Sequence, residues 1–242
     1  MDTIKLEGTK AKMIAHRGLS CIERENTYPA FIAAANRSYY GIETDVHVAK
    51  DGNFVIIHDS TTERVSNGLI NINVEKCTYD QIKEIVLPDL DGSISRNDIR
   101  IPLLQDYINI CKKYSKKCIL EIKDRFNKKD IIRMVELIKT LDYLDNVIFI
   151  SFVYENLVDL REILPNCNIQ FLTDKEIDNK LIAKLKKYNF DLDIHFHRIN
   201  NESLNLLHDN DIKVNVWTCD NKEKAETLSK LGVDFITSNI LE

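Results

Sequence analysis

Residues 41–59 read GIETDVHVAKDGNFVIIHD. Residues 42–48 and 54–57 are apolar or alternating in the manner of strands, and Asp51-Gly52 between them is a strong hairpin signal. A two-residue turn at Asp51-Gly52 pairs Lys50 with Asn53. Counting outward then predicts Asp45 opposite His58, on one face, with Cβ atoms about 5 Å apart. Glu43 and His47, each two residues from Asp45, share that face. A hairpin inside a globular chain gains nothing structural from a face of carboxylates and imidazoles, because burying unpaired charge is costly.

Outward from this hairpin the chain alternates. Short apolar, β-branched runs recur at 12–16 (KMIAH), 41–48, 118–123 (CILEIK), 147–152 (VIFISF), 168–172 (NIQFL), 191–196 (DLDIHF), 212–218 (IKVNVWT) and 233–237 (VDFIT). Amphipathic stretches at helical spacing lie between most of them, among them TYPAFIAAANRS, KDIIRMVELIKTLDYL and KEKAETLSKL. Strands alternating with helices imply right-handed βαβ units and a parallel sheet. Eight of them imply a closed (β/α)8 TIM barrel, with functional groups at the C-terminal ends of the strands. A doubly wound open sheet is the competing arrangement. The hairpin is an excursion after the second strand, and residues 60–100 form a polar stretch expected to be a small insertion over the barrel mouth. After the eighth strand only TSNILE remains, so the eighth helix is expected to be short or absent. No linker or repeat divides residues 1–242, which read as a single domain.

The 242 residues are 44% hydrophobic and 29% charged, with a formal net charge of −5. That balance argues against a general nucleic-acid binder, which carries a broad basic face. The six cysteines form no C-x-x-C pair and read as reduced, mostly buried thiols. The N-terminus lacks the apolar run of a signal peptide, and no stretch approaches the ~18 apolar residues of a membrane span. The expectation is a cytoplasmic protein with no stable membrane insertion.

Charge collects at the predicted strand ends. His16 closes the first strand and precedes Arg17-Gly18; Glu43 and Asp45 share a face of the second; Glu121 and Lys123 share a face of the third, above Ile119; Trp217 closes the seventh. Singly, each has an ordinary explanation as a capped histidine, a rim ion pair or a core tryptophan. Together at one mouth they do not. Glu43, Asp45 and Glu121 repel one another unless a cation lies between them, and an all-oxygen ligand set suits Mg²⁺ or Ca²⁺ rather than zinc. The alternative is a carboxylate cluster neutralised by Arg17 and Lys123. A hard cation beside two basic side chains suits an anionic, oxygen-rich substrate such as a phosphate. Two histidines can supply base and acid near neutral pH. These residues therefore suggest metal-assisted phosphodiester cleavage.

IAHRG, ERENT, GIETDVHVAKDGNFVIIHD, TTERVSNG, IPLL, LEIKD, VNVWT and GVDFITSN, in that order, resemble the glycerophosphodiester phosphodiesterases across nearly the whole chain. The resemblance implies a (β/α)8 barrel that hydrolyses glycerophosphodiesters to an alcohol and sn-glycerol 3-phosphate. It implies His16 as general base and His58 as general acid, Glu43, Asp45 and Glu121 as ligands of one divalent cation, and Arg17 and Lys123 as phosphate contacts. Trp217 matches an aromatic near the pocket wall, while Glu25 and Asn26 are expected to support the His16 loop. In the mechanism usually drawn for the family, the glycerol 2-hydroxyl attacks phosphorus and the cyclic phosphate is then hydrolysed. The family's T-D-x-P element is replaced here by TSNILE, a departure expected to touch barrel closure and the pocket floor but not the catalytic set. Asp191, Asp193, His195 and His197 share one face of the sixth strand. They read either as a polar end in water or as a place where His195 lines the pocket.

Three other readings compete. A lysophospholipase D or phospholipase C-like enzyme needs an apolar rim, and the insertion's Ile70, Ile72, Val86 and Leu87 lack an aromatic cluster. A Schiff-base aldolase using Lys123 would not surround its lysine with carboxylates. A non-catalytic phosphate-binding barrel would be expected to have lost a histidine or a carboxylate, and none is lost.

Overall fold

The computed structural model describes residues 2–242. Among these residues nine strands form one sheet: β1 (Lys12–Ala15), β2 (Gly41–Val48), β3 (Phe54–Ile56), β4 (Lys117–Ile122), β5 (Val147–Ser151), β6 (Asn168–Thr173), β7 (Asp191–His195), β8 (Val214–Trp217) and β9 (Phe235–Ser238). All neighbours are parallel except the hairpin pair β2–β3. Pairing of β1 with both β2 and β9 closes an eight-stranded barrel, with β3 outside it. The open-sheet alternative is thereby excluded. Each of the eight runs read from the sequence is a barrel strand.

The helices are α1 (Tyr28–Ala35), the short α2 (Tyr79–Ile82), α3 (Leu104–Lys113), α4 (Lys128–Thr140), α5 (Tyr154–Ile163), α6 (Asn179–Tyr188), α7 (Asn201–His208) and α8 (Lys222–Leu231). Their buried stripes, such as Ile131, Met134, Val135 and Ile138 of α4, pack on the barrel's outer face in the main apolar core. Among the described residues no helix follows β9. Instead Ile4 pairs with Leu241, and the backbones of Ile4, Leu6, Ile240 and Glu242 exchange hydrogen bonds. Leu6, Ile240 and Leu241 join the same core. Two extended segments thus supply apolar cover without a helix. None of the described helices is long and apolar enough to cross a membrane.

A separate small core fills the barrel lumen, where Ile14, Ile119, Ile148, Ile150, Leu172 and Phe235 meet. A third core belongs to the insertion. Val65, Val74, Ile82, Ile85, Leu87, Ile99 and Ile101 pack on Ala49, Val55 and Ile57 of the hairpin. The apolar residues of 60–100 are therefore largely consumed in anchoring the insertion to the hairpin. Cys111, Cys118 and Cys219 are buried, Cys77 and Cys167 half-buried and Cys21 exposed, all as free thiols.

The hairpin register differs from the two-residue reading. Val46 pairs with Ile56 and Val48 with Phe54, and Ala49 donates to the Asn53 carbonyl. The loop is therefore Lys50-Asp51-Gly52, with Gly52 at φ +82°, a three-residue connection whose last residue is left-handed. Asp51 is drawn into the loop by two side-chain contacts: it accepts from the backbone N–H groups of Asn53 and Tyr79. Asp45 consequently stands opposite Ile57, whose N–H donates to the Asp45 carbonyl, and not opposite His58.

Candidate active site

The barrel's stagger sets the levels of the charged residues. Ala15 pairs with Ile42, which brings His16 beside Glu43, and Asp45 pairs directly with Glu121. Glu43, Asp45 and Glu121 are all buried, and ligand oxygens from the three lie within 4.8 Å of one another. Lys123 Nζ is 2.8 Å from Glu121 Oε1 and 3.5 Å from Asp45 Oδ1. Arg17 Nε is 3.5 Å from Asp45 Oδ2, and the Arg17 backbone N–H donates to Glu43 Oε2 at 2.8 Å.

That last bond needs an unusual loop. Arg17 and Gly18 are both left-handed, at φ +54° and +77°. A Cβ on Gly18 would lie 2.7 Å from the Ala30 carbonyl carbon, so glycine alone lets the loop pack on α1. A non-glycine residue held left-handed is a strained choice, of the kind that clusters at functional sites. Asn26, also left-handed, closes the loop by donating its N–H to the Arg17 carbonyl. Its side chain donates to Asp45 Oδ2 at 2.8 Å and accepts from Thr44 Oγ1 at 2.7 Å. Asn26 thus orients a carboxylate directly, beyond the loop support expected of it.

The electrostatics of the three carboxylates diverge. Burial pushes Glu43 well above its ordinary pKa, and the charges of Asp45 and Glu121 push the same way. Burial, then the Asp45 charge, raises Glu121 to about 7. Burial would raise Asp45 too, but Arg17 and Lys123 outweigh it and hold that carboxyl well below its usual range. Asp45 Oδ1 nonetheless has no hydrogen-bond partner among the described residues. Three buried oxygen donors that resist joint ionisation, with one oxygen unpartnered, fit a hard divalent cation.

The two histidines reach the cavity by different routes. His16 Nδ1 is 2.8 Å from Asn239 Oδ1. Asn239 Nδ2 donates to Asp220 at 2.6 Å, and Asn239 Oδ1 also accepts from Ser20 Oγ at 2.7 Å. Asp220 therefore fixes the amide, Nδ1–H donates to the amide oxygen, and Nε2 is left with a free lone pair. Burial, and then the Arg17 charge, lowers the His16 pKa to about 4, so the ring is neutral at pH 7. His58 lies beyond the β3 ladder. His47 Nε2 donates to its carbonyl at 3.1 Å, and its own Nδ1 meets Asp59 Oδ1 at 2.5 Å. Arg64 clamps Asp59 and Glu25 together, at 2.7 and 2.8 Å, and Glu25 accepts from Arg17 at 2.9 Å. A continuous ionic chain thus ties the insertion to the β1 loop. Burial lowers the His58 pKa, helped by Arg17 and Lys123 and opposed by Asp45 and Asp59.

His16, Arg17, Glu43, His58, Glu121 and Trp217 line one cavity of about 100 Å³, together with Asp193, Thr237 and an apolar wall of Ile150, Phe152 and Leu172. Asp45 and Lys123 contact its lining residues from behind. The sixth-strand face divides differently from either sequence reading. Asp193 lines the cavity and is buried, not in water, while His195 packs edge-to-face on Trp217. His47 does not join the three carboxylates; its Nδ1 is 3.0 Å from Glu75.

The TSNILE departure also requires correction. It reaches the proposed catalytic set, because Asn239 holds His16. The sequence did single out position 239, but its partners, 223 residues away at His16 and 19 away at Asp220, are visible only in the fold. Arg64 and Asp59 lay inside quoted motifs without a role, and Asp193 within the unexplained face.

The model of the glycerophosphoryl diester phosphodiesterase family matches residues 16–241. A glycerophosphodiester phosphodiesterase of Caldanaerobacter subterraneus subsp. tengcongensis is 30% identical over 236 residues, covering 95% of this chain and 94% of that protein. One of Bacillus altitudinis is 26% identical over 234 residues, covering 93% of each. An Oleispira antarctica phosphodiesterase solved in complex with the product sn-glycerol-3-phosphate has the same fold, with a TM-score of 0.84, 24% identity, and coverage of 95% of this chain and 93% of that one.

Proposed function

The chain belongs to the glycerophosphoryl diester phosphodiesterase family and is a phosphoric diester hydrolase of glycerophosphodiesters; from that premise we propose that it releases sn-glycerol 3-phosphate by two-histidine acid–base catalysis at one Mg²⁺ or Ca²⁺ site. The observation that carries this reading is the convergence of three buried carboxylates within 4.8 Å with Arg17 and two histidines at one cavity, and with Lys123 behind Glu121 and Asp45. The product bound in the Oleispira antarctica relative supports it.

Glu43, Asp45 and Glu121 would hold the cation, which when bound supplies positive charge to the phosphoryl oxygens. Arg17 and Lys123 add charge to the same side of the cavity and fix the diester's anionic oxygens. His16, neutral with Nε2 unprotonated, accepts the proton of the attacking glycerol 2-hydroxyl. His58, its Nδ1 held by Asp59, delivers a proton from Nε2 to the departing alkoxide. An anionic phosphate beside His58 favours the protonated ring that this step requires. In the second half the roles reverse: His58 takes a proton from water and His16 returns one to the 2-oxygen. Acid–base assistance of this kind contributes roughly 10²–10⁴ in rate. The six free cysteines fit action in the cytoplasm, where thiols stay reduced.

The test is release of sn-glycerol 3-phosphate from glycerophosphocholine and glycerophosphoethanolamine, with chelator and then with Mg²⁺ or Ca²⁺ restored. Chelator-sensitive release restored by a cation is expected. No release with either cation from folded protein overturns the reading. One observation favours a second substrate class: Phe152, on the cavity edge, is 47% exposed, and Leu69, Leu90 and Ile94 of the insertion are also exposed. Faster turnover of a lysophospholipid than of glycerophosphocholine would make the enzyme a lysophospholipase D.

A further inference from the structure

Buried polar atoms in folded proteins are nearly always paired, so an unpaired one in a cavity marks a place for a ligand. Among the described residues two such atoms line this cavity outside the charged cluster: Asp193 Oδ1 and Trp217 Nε1. They come from adjacent strands, β7 and β8, on the side away from β2 and β4. Asp193 is 2% exposed, with the Asn215 amide beside it. Asn215 is itself committed, donating to Gln170 at 3.3 Å and accepting from Thr237 at 3.1 Å. Asp193 is not among the three carboxylates whose oxygens cluster within 4.8 Å, and neither Arg17 nor Lys123 pairs with it.

We propose that Asp193 recognises the glycerol half of the substrate, exchanging a hydrogen bond with a free glycerol hydroxyl at its unpartnered Oδ1. This rests on the glycerophosphodiester reading above and assigns a specificity residue that the phosphate-directed groups do not supply. Burial, and then the Glu121 charge, hold the Asp193 carboxyl well above its ordinary pKa. A carboxyl oxygen accepts from a glycerol hydroxyl whether or not the group is protonated, so the contact rests on the placement of Oδ1 in the cavity. Trp217 Nε1 can only donate, so it complements an acceptor oxygen on the same ligand.

The experiment compares binding of sn-glycerol 3-phosphate and of inorganic phosphate by calorimetry in saturating Mg²⁺, for the wild-type chain, Asp193→Asn and Asp193→Leu. Asp193→Leu should weaken sn-glycerol 3-phosphate about tenfold, the usual worth of one lost hydrogen bond, and leave phosphate within about twofold. Asp193→Asn keeps a donor and an acceptor and should stay within about threefold of wild type for both. Equal weakening of both ligands by Asp193→Leu, unchanged glycerol 3-phosphate affinity, or an Asn variant as weak as the Leu variant would each overturn the assignment. So would a raised Mg²⁺ requirement with glycerol 3-phosphate affinity intact. Because these are binding measurements, a wild type that hydrolyses no diester would sink the catalytic reading without altering this one.

Discussion

The two halves of the barrel mouth are built from different chemistry. On β1, β2 and β4, with the hairpin attached, carboxylates, Arg17 and Lys123 form a dense ionic network with both histidines beside it. On β6 to β9 the lumen has no ion pair among the described residues: Gln170, Asn215 and Thr237 bond one another, and Asp193 and Trp217 face the cavity beside Leu172. The contrast separates two tasks. Stabilising charge that develops on phosphorus requires preorganised charges that resist reorganisation. Recognising a polyol requires only shaped hydrogen-bonding groups.

The largest expected effect breaks the charged half. Asp45→Ala should lower kcat/KM by about 10³-fold or more, several kcal/mol at about 1.4 kcal/mol per tenfold. Gln170→Ala in the other half should cost no more than about threefold. Similar losses from the two variants in a steady-state assay would erase the distinction. Next, His58→Ala should reduce turnover roughly 10²–10⁴-fold with an unchanged melting temperature, and undiminished turnover would remove His58 from the mechanism.

A smaller effect sharpens the boundary between the halves, where Asn239 reaches His16. Asn239→Leu should lower kcat on the order of tenfold, because the ring loses the contact that fixes its tautomer. Burial and the Arg17 charge lower the His16 pKa to about 4 even though the Asn239 hydrogen bond raises it. Removing that bond should move the acid limb of the pH–kcat/KM profile to lower pH. A limb that stays put, or moves up, would confine Asn239 to a structural role.

The smallest effect is on stability. Glu121 titrates near 7 in the cation-free fold because it is buried beside Asp45, against an ordinary value of 4.5. A raised carboxyl stabilises the fold below the unfolded value and loses that contribution as pH rises through about 7. A cation replaces the missing proton, so Mg²⁺ should raise the melting temperature more at pH 8 than at pH 6, by a few degrees. Thermal melts at both pH values check this, and an equal or larger gain at pH 6 would place the cation elsewhere.

The eight barrel strands could be read from local pattern because each satisfies a requirement of its own few residues: period-two or continuous apolarity bounded by turn formers. The three carboxylates and both histidines were legible for a related reason, since no core tolerates so many charges without function. The hairpin register was not legible. It turns on one loop residue: Asp51 accepts from Tyr79, a contact 28 positions away, and Lys50 joins the loop instead of the ladder. His58 faces the cavity only because its carbonyl is held by His47 and its ring by Asp59, not because of strand alternation.

By itself, the sequence determined the strand–helix order, the barrel it closes into and which side chains carry charge at its mouth, because periodicity and composition act over short spans. The tertiary structure decided the orientation of those side chains. Asn239 and Asp220 set the His16 tautomer, Arg64 joins Asp59 to Glu25, and Asp193 turns from a polar strand position into an unpaired group in the cavity. Hydrogen bonds and burial are properties of neighbours in space, and those neighbours lie up to 223 residues apart in the chain.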